Sequence, residues 1–202
     1  MEKFVTLTAT ACPLGLSNVD TDQLLPARYL KEPRSAGLGR VLLHDLRHDA
    51  SGAERPDFPL NRPQWRDAQI LVAGRNFGGG SSREAAVYAV RDSGIRCVIA
   101  SSFGDIFSQN AAKNGLLTAT VEEADAAEIS ALLTKEPSLP LTVDLERQIV
   151  SGGGRSFAFS IDPARRQRLL NGWDDLDLTA SLSPQIAAFR NRDRREQGWK
   201  YL

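Results

Sequence analysis

Cysteine is scarce in this chain. Cys12 and Cys97 are the only two among 202 residues, and neither belongs to a Cys-x-x-Cys pair. Two isolated thiols cannot by themselves hold an iron–sulfur cluster or a structural zinc. Cys97, between Ile95-Arg96 and Val98-Ile99, has the surroundings of a small buried strand residue. Histidine is equally rare. His44 and His48 stand four apart, a spacing that lets two imidazoles share a metal, but Asp45-Leu46-Arg47 lies between them and no third ligand is near. No metal site is expected, and the pair reads as an exposed turn. An excess of either charge is also missing. With 25 basic and 25 acidic side chains, nothing electrostatic calls for a nucleic acid or a membrane as partner. No run of about 18 apolar residues occurs, and the start of the chain lacks a signal-peptide pattern. A cytoplasmic protein is expected. No internal repeat appears, and the length suits one domain with a real core.

Against these absences, Gly74-Arg75-Asn76-Phe77-Gly78-Gly79-Gly80-Ser81-Ser82-Arg83-Glu84 stands out. The apolar run Gln69 to Ala73 leads into it and an amphipathic run from Ala85 to Ser93 leads out. That order is a strand, a glycine turn and a helix start, an arrangement that builds anion sites. Three consecutive glycines let the backbone take positive φ and bring N–H groups close to a ligand. Ser81 and Glu84 have capping-box spacing, which predicts a first helical turn at Ser82 or Arg83. Two hydroxyls and a guanidinium then sit at the positive end of a helix dipole, a cradle for carboxylate or phosphate.

Two nucleotide-binding readings fail at decisive positions. Gly74 and Gly79 fit a P-loop, but Gly80 stands where the lysine is required. Gly78 and Gly80 fit a dinucleotide fingerprint, but Arg83 stands where a third glycine must let helix and strand pack closely.

The remaining segments alternate between β and α. Strands are predicted at Lys3–Ala9, Ala68–Val72, Cys97–Ala100 and Leu116–Thr120, then at Leu141–Leu145, Gln148–Val150 and Arg155–Ser160 around Gly152-Gly153-Gly154. Helices are predicted at Arg83–Ser93, closed by Gly94, and from a capping pattern at Ser102-Phe103-Gly104-Asp105 to Asn114-Gly115. Further helices are expected at Glu122–Leu133, Pro163–Leu170 and Gln185–Arg195. The sum is an α/β domain with a β-loop-α-β-α-β centre and added hairpin strands. From Leu30 to Gln64 the periodicity disappears, as expected of a long functional or disordered loop. Arg34 and Arg40 there are either a second cation for a dicarboxylate or solvated surface arginines. The arginine-rich tail from Arg190 to Lys200, offset by Asp193 and Glu196, reads as a solvated helix face.

Gly80-Ser81-Ser82-Arg83-Glu84 resembles the swivelling domain of the aconitase superfamily, and within it the bacterial small subunits of 3-isopropylmalate dehydratase. Asn18-Val19-Asp20-Thr21-Asp22, Leu25-Pro26-Ala27-Arg28-Tyr29-Leu30 and Val98 to Phe107 fit in order. So do Asn110, Asn114 to Leu117, Ile161-Asp162, Arg165-Arg166 and Asn171-Gly172, so the likeness runs from about Phe4 to Ala188. It implies one β/β/α swivelling domain over residues 1–202. A central, mostly parallel sheet would be flanked by helices, with a substrate loop over about 31–64 and a helical extension over about 163–202. The implied reaction is dehydration of 2-isopropylmalate to isopropylmaleate and rehydration to 3-isopropylmalate, in leucine biosynthesis. A sister hydro-lyase acting on dimethylmalate or citramalate, and a non-catalytic anion-binding assembly module, are the alternatives.

The resemblance further implies that Ser81 is a general base, with Gly79, Gly80, Ser82 and Arg83 holding substrate and stabilising its alkoxide. On spacing alone Ser81 is equally an N-cap. Leu30 and Arg34 fall in the implied substrate loop. Asp20 and Asp22 are either supports behind the site or turn formers, and Glu84 is expected to cap the helix and orient Arg83. This chain would bind no cofactor itself. A [4Fe–4S] cluster is implied on a separate large subunit, joined in a heterodimer or heterotetramer, and the substrate is a small dicarboxylate. The usual bacterial signature, Asn-Phe-Gly-Cys-Gly-Ser-Ser-Arg-Glu-His-Ala, is altered at two positions, where Gly79 and Ala85 stand for the cysteine and the histidine.

Overall fold

The computed structural model describes residues 1–201, so Leu202, the end of the expected extension, lies outside the described residues. The chain begins with strand β1 (Thr6–Pro13) and two one-turn helices, α1 (Thr21–Leu24) and α2 (His44–Arg47). It then alternates β2 (Ile70–Val72), α3 (Glu84–Asp92), β3 (Cys97–Ala100), α4 (Asp105–Lys113), β4 (Leu117–Thr120) and α5 (Glu123–Lys135). Three hairpin strands follow, β5 (Pro140–Asp144), β6 (Ile149–Gly152) and β7 (Arg155–Ala158), and three helices close the chain, α6 (Pro163–Asn171), α7 (Asp175–Ser181) and α8 (Ser183–Glu196).

One seven-stranded sheet has the order β4-β3-β2-β1-β5-β6-β7. β1 to β4 pair in parallel, and β5 to β7 extend the sheet antiparallel. β2 and β3 are buried along their whole length, as parallel strands covered on both faces must be. Their side chains alternate between two cores. Leu71, Val98 and Ala100 enter one, and Ile70, Val72, Cys97 and Ile99 the other. α3 covers the first core with Ala86, Val87, Ala89 and Val90, while α5 covers the second with Ala126, Ile129 and Leu133 at helical spacing. Among the described residues no helix is long and apolar enough to cross a membrane.

Several boundaries depart from expectation for local reasons. β1 starts three residues late because the Phe4 N–H donates to Leu169 O, and it runs on to Pro13 because Ala11–Pro13 pair with β2. α4 is not capped by Ser102. Its N-cap is Gly104, and the Ser102 Oγ instead accepts the Asn76 N–H at 2.8 Å. α7 was not expected; Asp174 and Asp177 form a reciprocal capping box at its start. The segment 31–64 is less irregular than its composition suggests. It forms α2 and short 3₁₀ turns, and Leu38, Val41, Leu42, Leu43 and Leu60 are buried in the first core. At roughly 1.5–3 kcal/mol for each buried aliphatic side chain, that burial outweighs the local preference for disorder. Two stretches lie at the surface, Leu30 to Gly37 with only Glu32 half-buried, and Asp49 to Asp57, exposed throughout.

Candidate active site

The loop Gly74–Arg83 emerges from the C-terminal end of β2, where parallel α/β sheets place their ligand crevices. Neighbouring loops hold it on both sides. On one side, the Gly78 N–H donates to Val19 O at 2.7 Å and the Thr21 N–H to Gly79 O at 3.0 Å. On the other, the Phe77 N–H donates to Ser102 O and the Gly104 N–H to Phe77 O. Phe77 packs edge-on against Phe103 and Phe107 beneath. Glycine is required where these loops touch. A Cβ on Gly104 would lie 2.5 Å from Gly78 O, and Gly78 and Gly80 have φ of 73° and 92°. A Cβ on Gly79 would come within 2.8 Å of the Asn76 amide oxygen. Without a side chain at 79, that amide sits against the loop and donates to Asn18 Oδ1 at 3.2 Å. Asn18 and Asn76 both take left-handed backbone conformations, which asparagine tolerates well.

Ser81 does not cap the helix. α3 begins at Glu84 with Arg83 as an N-cap lacking a side-chain bond. The turn is too tight for the predicted capping box, since the Arg83 N–H folds back onto Ser81 O at 2.9 Å. The Ser81 Oγ instead lies 3.3 Å from the Thr21 Oγ1, whose hydroxyl also reaches Ser81 O at 3.2 Å. Thr21 is buried (1% exposed), while Gly80, Ser81 and Ser82 are exposed. Among the described residues the N–H groups of Gly80, Ser81 and Ser82 donate to no protein acceptor. They lie at the positive end of α3.

The carboxylates near the loop have separate tasks. Asp20 caps α1 in a reciprocal box with Gln23. Asp22 makes an ion pair with Arg83. Glu84 does not orient Arg83. Its carboxylate accepts the Asn114 amide at 2.8 Å, which ties α3 to the end of α4. Arg34 lies over the Tyr88 ring, 4.0 Å from its centre, and 3.6 Å from Asp92, along α3 and away from its N-terminus. Arg40 pairs with Glu32. Leu30 is exposed, at the edge of its 3₁₀ turn. His44 and His48 stack with ring centres 4.4 Å apart, and His48 Nδ1 donates to His44 O at 3.0 Å.

Residue types rule out an iron–sulfur cluster on this chain. Cys12 and Cys97 are both buried and free, on opposite faces of the sheet. Burial pushes the Cys12 thiol up to about 12 and the Cys97 thiol further the same way, whereas a cluster needs several thiolates.

With this geometry in place, comparison with known proteins is decisive. A 3-isopropylmalate dehydratase small subunit from Rhodospirillum centenum is 51% identical over 98% of both chains. The chain belongs to the 3-isopropylmalate dehydratase small-subunit family. A relative of the same name from Nitrobacter hamburgensis is 46% identical over 98% of this chain and 100% of its own length. The Aconitase C-terminal domain family matches residues 1–124, and the LeuD family, described as LeuD_N, matches residues 127–163. A crystal structure of 3-isopropylmalate dehydratase from Methanocaldococcus jannaschii superposes with a TM-score of 0.64 at 24% identity, covering 91% of this chain and 98% of that one. The small-subunit fold, a mixed sheet flanked by helices, is therefore this chain's fold.

The sequence marks the loop and Arg83 as candidate site residues, and the structure brings them together at the start of α3. Thr21 is not so marked. It sits inside Asn18-Val19-Asp20-Thr21-Asp22, where the two acids drew attention and the threonine between them makes the contact with Ser81.

Proposed function

We propose that this chain is the small subunit of a 3-isopropylmalate dehydratase, a hydro-lyase that interconverts 2- and 3-isopropylmalate through isopropylmaleate in leucine biosynthesis. The observation that carries the reading is the 51% identity over 98% of both chains. Relatives at 44–51% identity carry this one name, which gives the dimethylmalate and citramalate alternatives no support. The working enzyme pairs this chain with a large subunit in the cytoplasm, and the [4Fe–4S] cluster implied there supplies the Lewis acid that eases departure of hydroxide.

In this reading Ser81 Oγ removes and returns the proton on the carbon beside a substrate carboxylate. A serine hydroxyl is too weak a base unless its alkoxide is stabilised. Three local features support that. The N–H groups of Gly80, Ser81 and Ser82 are free, the positive end of α3 is adjacent, and the Thr21 hydroxyl is within reach of Oγ. With Oγ as the alkoxide, the Thr21 hydroxyl donates to Oγ rather than to Ser81 O, and the proton taken from the substrate carbon comes to rest on Oγ until it is returned. Gly79 shapes the loop, and Ser82 and Arg83 receive a carboxylate. The Arg83 guanidinium suits bidentate binding, with Asp22 holding it in position until substrate arrives. Leu30 and Arg34 supply the apolar and cationic contacts of the substrate loop, which requires Arg34 to leave Asp92. One domain spans residues 1–202, with the helical extension from about 163.

The test is an anaerobic assay of this chain co-expressed with its large subunit, offered 2-isopropylmalate, dimethylmalate and citramalate in parallel. Preference for 2-isopropylmalate is expected. Preference for either other acid would make the chain a sister hydro-lyase subunit.

A further inference from the structure

A second cavity lies at the far end of α3 from Ser81. α3 has nine residues, so at about 1.5 Å per residue its ends are roughly 13 Å apart. The cavity measures about 400 Å³ and is lined by Arg40, Arg47, His48, Glu54, Arg66 and Asp92, over a floor of Leu42, Leu60 and Ile95. It shares no residue with the Gly74–Arg83 loop.

Arg47 is the group that needs an explanation. It is half-buried, and its only side-chain hydrogen bond among the described residues runs from Nε to Asn61 Oδ1 at 2.9 Å. No carboxylate lies within ion-pair distance of it among the described residues. Desolvation above all pushes its pKa down; the Glu54 charge acts the other way and the Arg66 charge pushes it further down, with Cys12 last and raising it. A desolvated cation without a partner is costly. The other charges are already matched. Arg66 grips Glu54 through two hydrogen bonds, Arg40 pairs with Glu32, and Asp92 faces Arg34.

The arrangement around Arg47 is built, not incidental. Asn61 is 5% exposed. Its amide nitrogen donates to Arg47 O at 2.7 Å and Arg55 O at 3.0 Å, its amide oxygen takes Arg47 Nε, and its carbonyl takes Arg66 Nη2 at 3.0 Å. One buried asparagine thus fixes the backs of both guanidinium groups and leaves the Arg47 Nη groups free of side-chain hydrogen bonds. Asp92 and the carbonyl end of α3 form another wall, which disfavours a ligand charged throughout.

We propose that this cavity is a second small-molecule site that takes a compact monocarboxylate, its charged end on Arg47 and its aliphatic body over Leu42 and Leu60. The probe is 3-methylbutanoate, titrated into the full chain while the Arg Nε–H and His48 ring resonances are followed by NMR. Saturable shifts with a Kd of about 1 mM or tighter are expected. Arg47→Met should weaken binding at least about tenfold, the loss of one charge-assisted contact, whereas Ser81→Ala should leave it unchanged. Arg66→Met tests the same wall if Arg47→Met does not fold, and should weaken binding in the same direction. Absence of saturation, shifts that survive loss of the arginine, tighter binding of inorganic phosphate, or loss of binding in Ser81→Ala would each overturn the proposal.

Discussion

The Thr21 hydroxyl has one proton and two oxygens of Ser81 within reach, the carbonyl at 3.2 Å and Oγ at 3.3 Å. In the resting loop either bond serves, but a charged Oγ would claim it, because hydrogen bonds to ionised acceptors are about twice as strong. In the proposed mechanism Thr21 is then a positioning residue whose effect appears in turnover. Thr21→Val keeps the buried shape and should lower kcat by about tenfold or more with KM nearly unchanged, below the 10²–10³ typical of a full oxyanion donor. Thr21→Ser should restore most of the loss. Equal effects on kcat and KM, or no rescue by serine, would assign Thr21 to folding alone. Arg83 predicts the opposite balance. Arg83→Lys keeps the charge but not the fork, so KM should rise and kcat/KM fall by about 10–100-fold; unchanged kinetics would remove Arg83 from the substrate.

At the scale of elements, the site exists because three loops at one end of a parallel sheet approach closely enough to need glycines. Gly104 and Gly154 separate the two reasons a glycine can be required. At Gly104 a Cβ would strike Gly78 O at 2.5 Å, whereas at Gly154 the φ of 73° is left-handed but no atom lies within 4 Å. Gly154→Ala should therefore cost only about 1–2 kcal/mol of backbone strain. Gly104→Ala must move two loops and should cost more, about 2–3 kcal/mol. Denaturant midpoints with unchanged m-values would measure both, and equal costs would contradict the close packing of the loops. The sequence read these elements unevenly. β3 was legible to the residue because Cys97–Ala100 is an uninterrupted buried run. The start of α3 was misread because Ser81 and Glu84 have capping spacing, yet the fold-back of the Arg83 N–H onto Ser81 O moves the helix start to Glu84. Ser102 was misread the same way, its Oγ being drawn off by the Asn76 N–H.

For the whole molecule, the order of strands and helices along the chain made an α/β sheet legible, and the glycine loop made one end of it a candidate site. Two things were not legible. The burial of Leu38 and of Val41 to Leu43 is a tertiary effect, since that segment has no period of its own and gains its shape by covering the core beneath α3. The pairings Thr21–Ser81 and Asp22–Arg83 join residues about sixty positions apart, which no local pattern encodes. Together these place a serine hydroxyl, a buried threonine and an arginine at one helix N-terminus, while the remaining chemistry falls to a partner. The central claim is that Ser81 carries the proton transfer in that assembly. Its most direct test is turnover of 2-isopropylmalate by the complex with the large subunit, carrying either Ser81 or Ser81→Ala. A fall on the order of 10³-fold or more with the complex still assembled is predicted, and turnover that stays unchanged would contradict the account.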